Sequence, residues 1–333
     1  MAYTEIDDPT LYFQTKLYTG TGSSNALTLD GDTDMQPDLV WIKRRNGSES
    51  HALFDSVRGV QKHLPSDDGS AEQTVSTSLT AFGSDGFTVG GWSRVNASSD
   101  TFVAWCWKES ATAGFDIIAY TGNGTSGRTV SHNLSAIPEC IIIFPRDQGD
   151  NRRVYHKGVD SSEPEDYHLQ INGNDARSDN ATMFNDTAPT SSVFSLGNNS
   201  GINGNNNTFI AYCFKAKQGF SKFGSYVGNG NADGTYVFLG FRPALVIYKK
   251  SSGSGQGWVM NDNKRDTFNV ADAVIYANTN EAESDYDSVD FLSNGFKHRS
   301  TGGSHNASGV TYIYLAFAEA PFVNSNGVPG NAR

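Results

Sequence analysis

Apolar positions in this chain rarely recur at the three-and-four spacing of a helix. Short apolar and aromatic runs alternate instead with stretches of Gly, Asn, Ser, Thr and Asp. That pattern predicts short strands joined by polar turns, because Gly or Asn interrupts most windows of helical length. The most continuous run is Phe102-Val103-Ala104-Trp105-Cys106-Trp107-Lys108. It returns as Phe209-Ile210-Ala211-Tyr212-Cys213-Phe214-Lys215 and, more loosely, as Tyr312-Ile313-Tyr314-Leu315-Ala316-Phe317-Ala318. A short unbroken run of β-branched and aromatic residues reads as a strand buried on both faces at the centre of a sheet. Three such strands imply three cores.

Other landmarks repeat in the same order. Tyr18-Thr19-Gly20, Tyr120-Thr121-Gly122 and Tyr226-Val227-Gly228 open the copies. The strands Pro37–Lys43, Pro138–Phe144 and Pro243–Lys249 begin 19, 18 and 17 residues after those tyrosines. Asp85-Gly86-Phe87, Val193-Phe194-Ser195 and Asn294-Gly295-Phe296 come next, with a hairpin glycine of positive φ expected in the first and third. Four landmarks in one order, three times, indicate tandem duplication. The predicted fold is all-β, with three tandem β-sandwich (jelly-roll-like) modules at residues 13–109, 110–217 and 218–322. An N-terminal arm (1–12) and a C-terminal tail (323–333) flank them. Strands expected in the first module are Phe13–Tyr18, Ala26–Leu29, Leu39–Arg44, Ala52–Ser56, Gln73–Phe82, Phe87–Gly90 and Phe102–Lys108. The polar loops Asp67–Gln73, Asn172–Thr187, Gly197–Asn207 and Lys250–Gly257 are expected at the ends of the sandwiches, where binding surfaces are usually carried. The terminal arms read either as frayed ends or as docking segments for neighbouring subunits.

Composition narrows the partners. Lys plus Arg is 25 and Asp plus Glu is 36, so the formal net charge is −11. That disfavours nucleic acid, which needs a concentrated basic face. The doublets Arg44-Arg45 and Arg152-Arg153 read as solvated charge. Cys106, Cys140 and Cys213 lie within apolar strands and read as core residues with no disulfide, as in a reducing cytoplasm. The start has neither the basic region nor the apolar run of a signal peptide. No apolar run approaches the ~18 residues of a membrane span, so membrane insertion is not expected.

Candidate chemistry is sparse. Gly122-Asn123-Gly124-Thr125-Ser126-Gly127 fits a dinucleotide fingerprint in spelling only, since Arg128–Ser131 reads as strand where that motif needs a helix. Asp30-Gly31-Asp32-Thr33-Asp34 alternates carboxylates but has Met35 and Trp41 where a calcium loop needs Gly and Glu. No cofactor or metal is expected. There is no GxSxG elbow. Glu163 with Glu165 and Glu281 with Glu283 lie in polar loops without the burial that raises a catalytic carboxyl. No catalytic residue is expected, and the protein reads as a non-enzyme. Five aromatic residues outside the closing strands, Trp92, Tyr155, Tyr167, Trp258 and Tyr286, are the candidates for a sugar- or partner-binding surface.

Several phrases resemble a family of virion proteins of marine tailed bacteriophages: Leu11–Gly20, Asp34–Lys43, Phe54–Gly59, Ser221–Tyr226, Phe291–Lys297 and Tyr312–Phe322. The resemblance spans almost the whole chain. It implies a structural component of the particle, commonly grouped with tail or fibre proteins, and carries no catalytic residues. The expectation is a virion protein made in the host cytoplasm, most simply a tail fibre or receptor-binding component. Its partners would be other virion proteins, further copies of itself (a homotrimer) and a host surface glycan or receptor. A capsid decoration or head-fibre protein is the alternative, and a glycan-cleaving depolymerase a lesser one.

Overall fold

The run that opens the pattern forms the strand Thr101–Trp107. The structure, a computed structural model describing residues 4–330, places that strand between Phe13–Thr19 and Leu39–Arg44, with Ala52–Asp55 beyond. Residues 1–3 of the arm and 331–333 of the tail lie outside the described residues. The second module repeats the order with Phe115–Thr121, Thr208–Phe214, Cys140–Pro145 and Arg153–His156. The third repeats it with Ser221–Val227, Thr311–Pro321, Phe241–Lys250 and Trp258–Asp262, and continues through four more strands into an eight-stranded, nearly closed barrel. A smaller sheet lies across each of the first two: Asn25–Leu27, Gly86–Val89 and Leu79–Gly83 in the first, Arg128–Ser131 and Val193–Leu196 in the second. The chain is all-β and of β-sandwich type.

Alternation along the central strands sends side chains to two different cores. Phe102, Ala104 and Cys106 pack with Tyr18, Val40, Leu79 and Phe87 inside the first sandwich. Val103, Trp105 and Trp107 face the other way, into a core shared by all three modules. Phe209, Ala211 and Cys213 likewise fill the second sandwich, while Ile210, Tyr212 and Phe214 enter the shared core. The expectation of three cores is therefore amended. Two modules have their own, and a common core, continuous with that of the third module, joins them. Phe317 is its hub, with ring centroids 5.3 Å from Phe13, 5.5 Å from Trp107 and 5.8 Å from Phe214.

The first landmark is a latch. The hydroxyls of Tyr18, Tyr120 and Tyr226 donate to the carbonyls of Val95, Ile202 and His305 at 2.6, 2.7 and 2.7 Å. One residue further on, the fully buried Asn96, Asn203 and Asn306 accept from the amides of Thr21, Asn123 and Asn229. Their amide groups donate to Gly90, Gly197 and Ser300. A Cβ at Gly20, Gly122 or Gly228 would stand 2.0, 2.1 or 2.3 Å from a carbonyl oxygen of the loop it meets, which is why glycine recurs there. The third landmark differs from its reading. Gly86 does have positive φ (114°), but Gly295 does not, and is required instead because a Cβ would lie 2.1 Å from the Val237 oxygen.

Two other expectations change. Gln73–Phe82 is broken into Gln73–Thr74 and Leu79–Gly83 by a turn in which the Ser78 amide donates to Val75. The described parts of the arms fold back on their own chain. Thr4 and Glu5 bond Gln218, and Asp7 accepts from the Ser325 amide at 2.7 Å. Replacing Asn96, Asn203 or Asn306 by Ala should each cost about 1–3 kcal/mol by urea unfolding, because buried amides and carbonyls lose their partner. A cost near zero at all three would refute the latch.

Candidate functional site

The five aromatic candidates are spread over the three modules, and two are not at the surface. Trp258 is 1% exposed and donates its Nε1 to the Gln170 carbonyl at 2.8 Å. Tyr155 is buried in the second core, edge-on to Phe184. Both belong to strands paired on both sides, so their rings turn inward. Trp92 is half-buried and stacks on His63 with centroids 4.6 Å apart. Tyr167 is half-buried beneath Arg177, and Tyr286 is exposed.

The polar chemistry concentrates where one module meets the next. Asp55 and Arg58 are fully buried and paired, and Asp55 accepts from the Tyr212 hydroxyl of the second module at 2.8 Å. Arg58 also meets Glu72, which forms a fork with Arg146 of the second module at 2.9 and 3.0 Å. The third module meets the first in the same way. Asp262 pairs with Arg265 and accepts from Trp105 Nε1 at 3.0 Å, while Glu283 grips Arg265 and Arg45. At the joint between the second and third modules the equivalent positions are His156, Val159 and Leu315. His156 Nε2 bonds the Tyr314 carbonyl there at 3.1 Å. A backbone bond recurs in all three joints: Glu72 to Arg146, Arg177 to Ser251, and Glu283 to Arg45. The three joints run first-to-second, second-to-third and third-to-first, so the modules close a ring.

A second set of bonds circles the other way. His51, Arg152 and Trp258 hold equivalent positions, and each reaches the equivalent carbonyl of the preceding module: Tyr276, Pro65 and Gln170 respectively. Three unlike side chains thus perform one task. His51 accepts from Trp41 Nε1 at Nδ1, so its proton lies on Nε2, facing Tyr276. Three readings are corrected here. Arg152 is fully buried rather than solvated, Glu283 is an interface clamp rather than solvated loop charge, and the loops Asp67–Gln73 and Asn172–Thr187 are straps across joints rather than binding loops at the sandwich ends. Sequence reasoning missed these residues singly. The repeated Asp-x-x-Arg after the same strand in modules one and three was the available signal.

Burial sets the titration. It opposes charge on Arg58, but Asp55 beside it holds the guanidinium above its ordinary value. Burial also opposes charge on Glu72 and Glu283, yet their arginines hold both carboxyls below the usual range. Burial pushes Lys43 and Lys249 down to about 8, and His51 and His156 down to about 3. Glu109, also desolvated and beside Asp116, rises to about 7, and the Ile117 and Asn133 amides hold the two carboxyls. That pair ties the end of the first module to the start of the second. Among the described residues no three His, Cys, Asp or Glu side chains are grouped to hold a metal. Asp30 is paired with Lys16, and the decoy glycines lead into the strand Arg128–Ser131. All three cysteines are free and buried. No helix among the described residues is long and apolar enough to cross a membrane.

An all-β chain closed on itself through three repeated joints is the class this architecture defines. The chain belongs to the family described as Domain of unknown function (DUF7483), which matches residues 8–321. No curated protein and no solved structure matches it.

The Asp262→Ala variant should lose about 3–5 kcal/mol, since Arg265 would lose its fully buried carboxylate, keeping only Glu283, and Trp105 Nε1 would lose its acceptor. The triple variant Asp55→His, Arg58→Val, Tyr212→Leu copies the apolar joint and should keep most of the stability. Equal losses in urea unfolding would contradict the repeated-joint account. Acid should also loosen the ring. Below the ordinary histidine value of 6.5 the unfolded chain binds protons that folded His51 and His156 refuse until about pH 3. Stability therefore holds above that value and falls as pH drops towards 3. Urea midpoints at pH 7 and 5 measure this, and an unchanged midpoint would contradict it.

Proposed function

We propose that the protein is a non-enzymatic structural component of a tailed-bacteriophage virion, placed on the tail as a fibre or receptor-binding component. The observation that carries this reading is the ring. Three modules surround one core, and each presents the same latched loop pair, Gly20–Asn25 with 96–100 in the first and its equivalents in the others. Threefold presentation of loops suits a symmetric appendage. The buried charges support a structural role, because the joints consume them. The resemblance to virion proteins supports the particle, and the acidic surface suits protein and glycan partners better than nucleic acid.

The symmetry that suggested a homotrimer is present within one chain, and we take the single chain as the working unit. A capsid decoration or head-fibre role is the second reading. It would use the terminal arms as clamps, and their bonds to the same chain, through Gln218 and Ser325, favour the tail. Light scattering should give the single-chain mass of 36.0 kDa; three times that mass would restore the homotrimer. Quantitative mass spectrometry of purified particles should find a few copies per virion. Hundreds of copies would place the protein on the capsid and overturn the tail reading.

A further inference from the structure

The three modules can be compared position by position, and one difference opens a cleft. In the first module Trp92 stands just before the short helix Ser93–Asn96 and stacks on His63 at 4.6 Å, with Arg94 4.9 Å from its ring. In the second module the residue before the equivalent helix Ser200–Asn203 is Asn199. The equivalent of His63 is His168, one residue before the leucine that faces the neighbouring strand in both modules. The small Asn199 leaves open the space that the indole fills in the first module. A cleft of about 440 Å³ lies there, its polar lining formed by Arg153, His168, Gln170, Ser178, Asn180 and Asn199 and including one carboxylate, Asp175. Its volume falls within the ~300–1,000 Å³ of small-molecule sites.

Arg153 makes the cleft chemically distinct. Its equivalent in the first module is Ala52. Arg153 is 8% exposed, and its Nε has no partner. Its other nitrogens reach Asp150 and His168 Nε2 at 3.4 Å each, long for hydrogen bonds. A guanidinium held with unused donors suits a planar carboxylate. Burial, then Arg153, pushes His168 down to about 4, so at neutral pH this 4%-exposed ring in the cleft wall is uncharged. The amides and hydroxyl of Gln170, Asn180, Asn199 and Ser178 suit a ligand rich in hydroxyls.

We propose that this cleft binds a six-membered sugar ring carrying one carboxylate. The ring lies in the space before Asn199, against the 4%-exposed wall that His168 forms. The carboxylate meets Arg153 in place of its long contact to Asp150, and the hydroxyls meet the amide side chains. The site stands on this geometry alone, and would also give the host-contact reading its glycan site.

The test is titration of the isolated full chain with glucuronic and galacturonic acid, their neutral counterparts glucose and galactose, and inorganic phosphate. Calorimetry and saturation-transfer NMR provide the readout. A uronic acid should bind at least tenfold more tightly than its neutral sugar. Arg153→Ala, which installs the residue of the first module, should remove that preference. Asn199→Trp, which installs the first module's plug, should abolish binding with Arg153 still in place. Unchanged melting temperatures would establish that both variants fold. Binding that survives Asn199→Trp, phosphate binding as tightly as the sugar acid, or no binding of either acid would overturn the assignment. None of these outcomes depends on where the protein sits in a virion, so failure here leaves the copy-number test of the tail reading intact.

Discussion

Burial of the central strand on both faces is the constraint on which the structure depends. A strand with one apolar face could serve a sandwich and leave its other face to water. Trp105, Trp107, Tyr212, Phe214 and Phe317 give these strands a second apolar face. That face cannot be covered within the first or second module, so each module needs its neighbours. Three sheets meeting around Phe317 bury it. Aromatic truncation at such a point removes about 3–5 kcal/mol from each site, a large share of a domain's net stability.

Placing polar aromatic rings in a shared core has a consequence. Trp105 and Tyr212 carry a donor into an interior without water, and each must find an acceptor. Asp262 and Asp55 provide it, and each then needs a buried cation, which Arg265 and Arg58 supply. Where the ring position is Leu315 no donor arrives, and neither the aspartate nor the arginine is present. Two joints therefore carry a buried aspartate–arginine pair and one does not. The charged joints are not simply stronger, since desolvation offsets much of the attraction. They fix register, because a displaced module would strand an aspartate or an arginine without its partner.

The sequence made legible whatever depended on local pattern. The central strands, the glycine landmarks and the module order could be read because double burial and close backbone contact each demand particular residue types. The latch asparagines were not legible, as Asn96 buried against a carbonyl is spelled like any asparagine in a loop. Arg152 and Glu283 looked solvated because their partners lie in another module. The aromatic reading failed at Trp258 and Tyr155, since a ring beside a polar loop in sequence can belong to an interior strand. The cleft beside His168 was hidden for a related reason. It exists because Trp92 has no counterpart in the second module, and the equivalence of Trp92 with Asn199 becomes visible only once the helices that follow them are aligned.

The central claim is that three modules form one cooperative body through a shared core. Differential scanning calorimetry tests it most directly. A single transition whose van 't Hoff and calorimetric enthalpies agree, giving a ratio of about one, is the predicted result. A ratio of about one third, or three resolved transitions, would mean that the modules unfold independently. It would contradict the shared core.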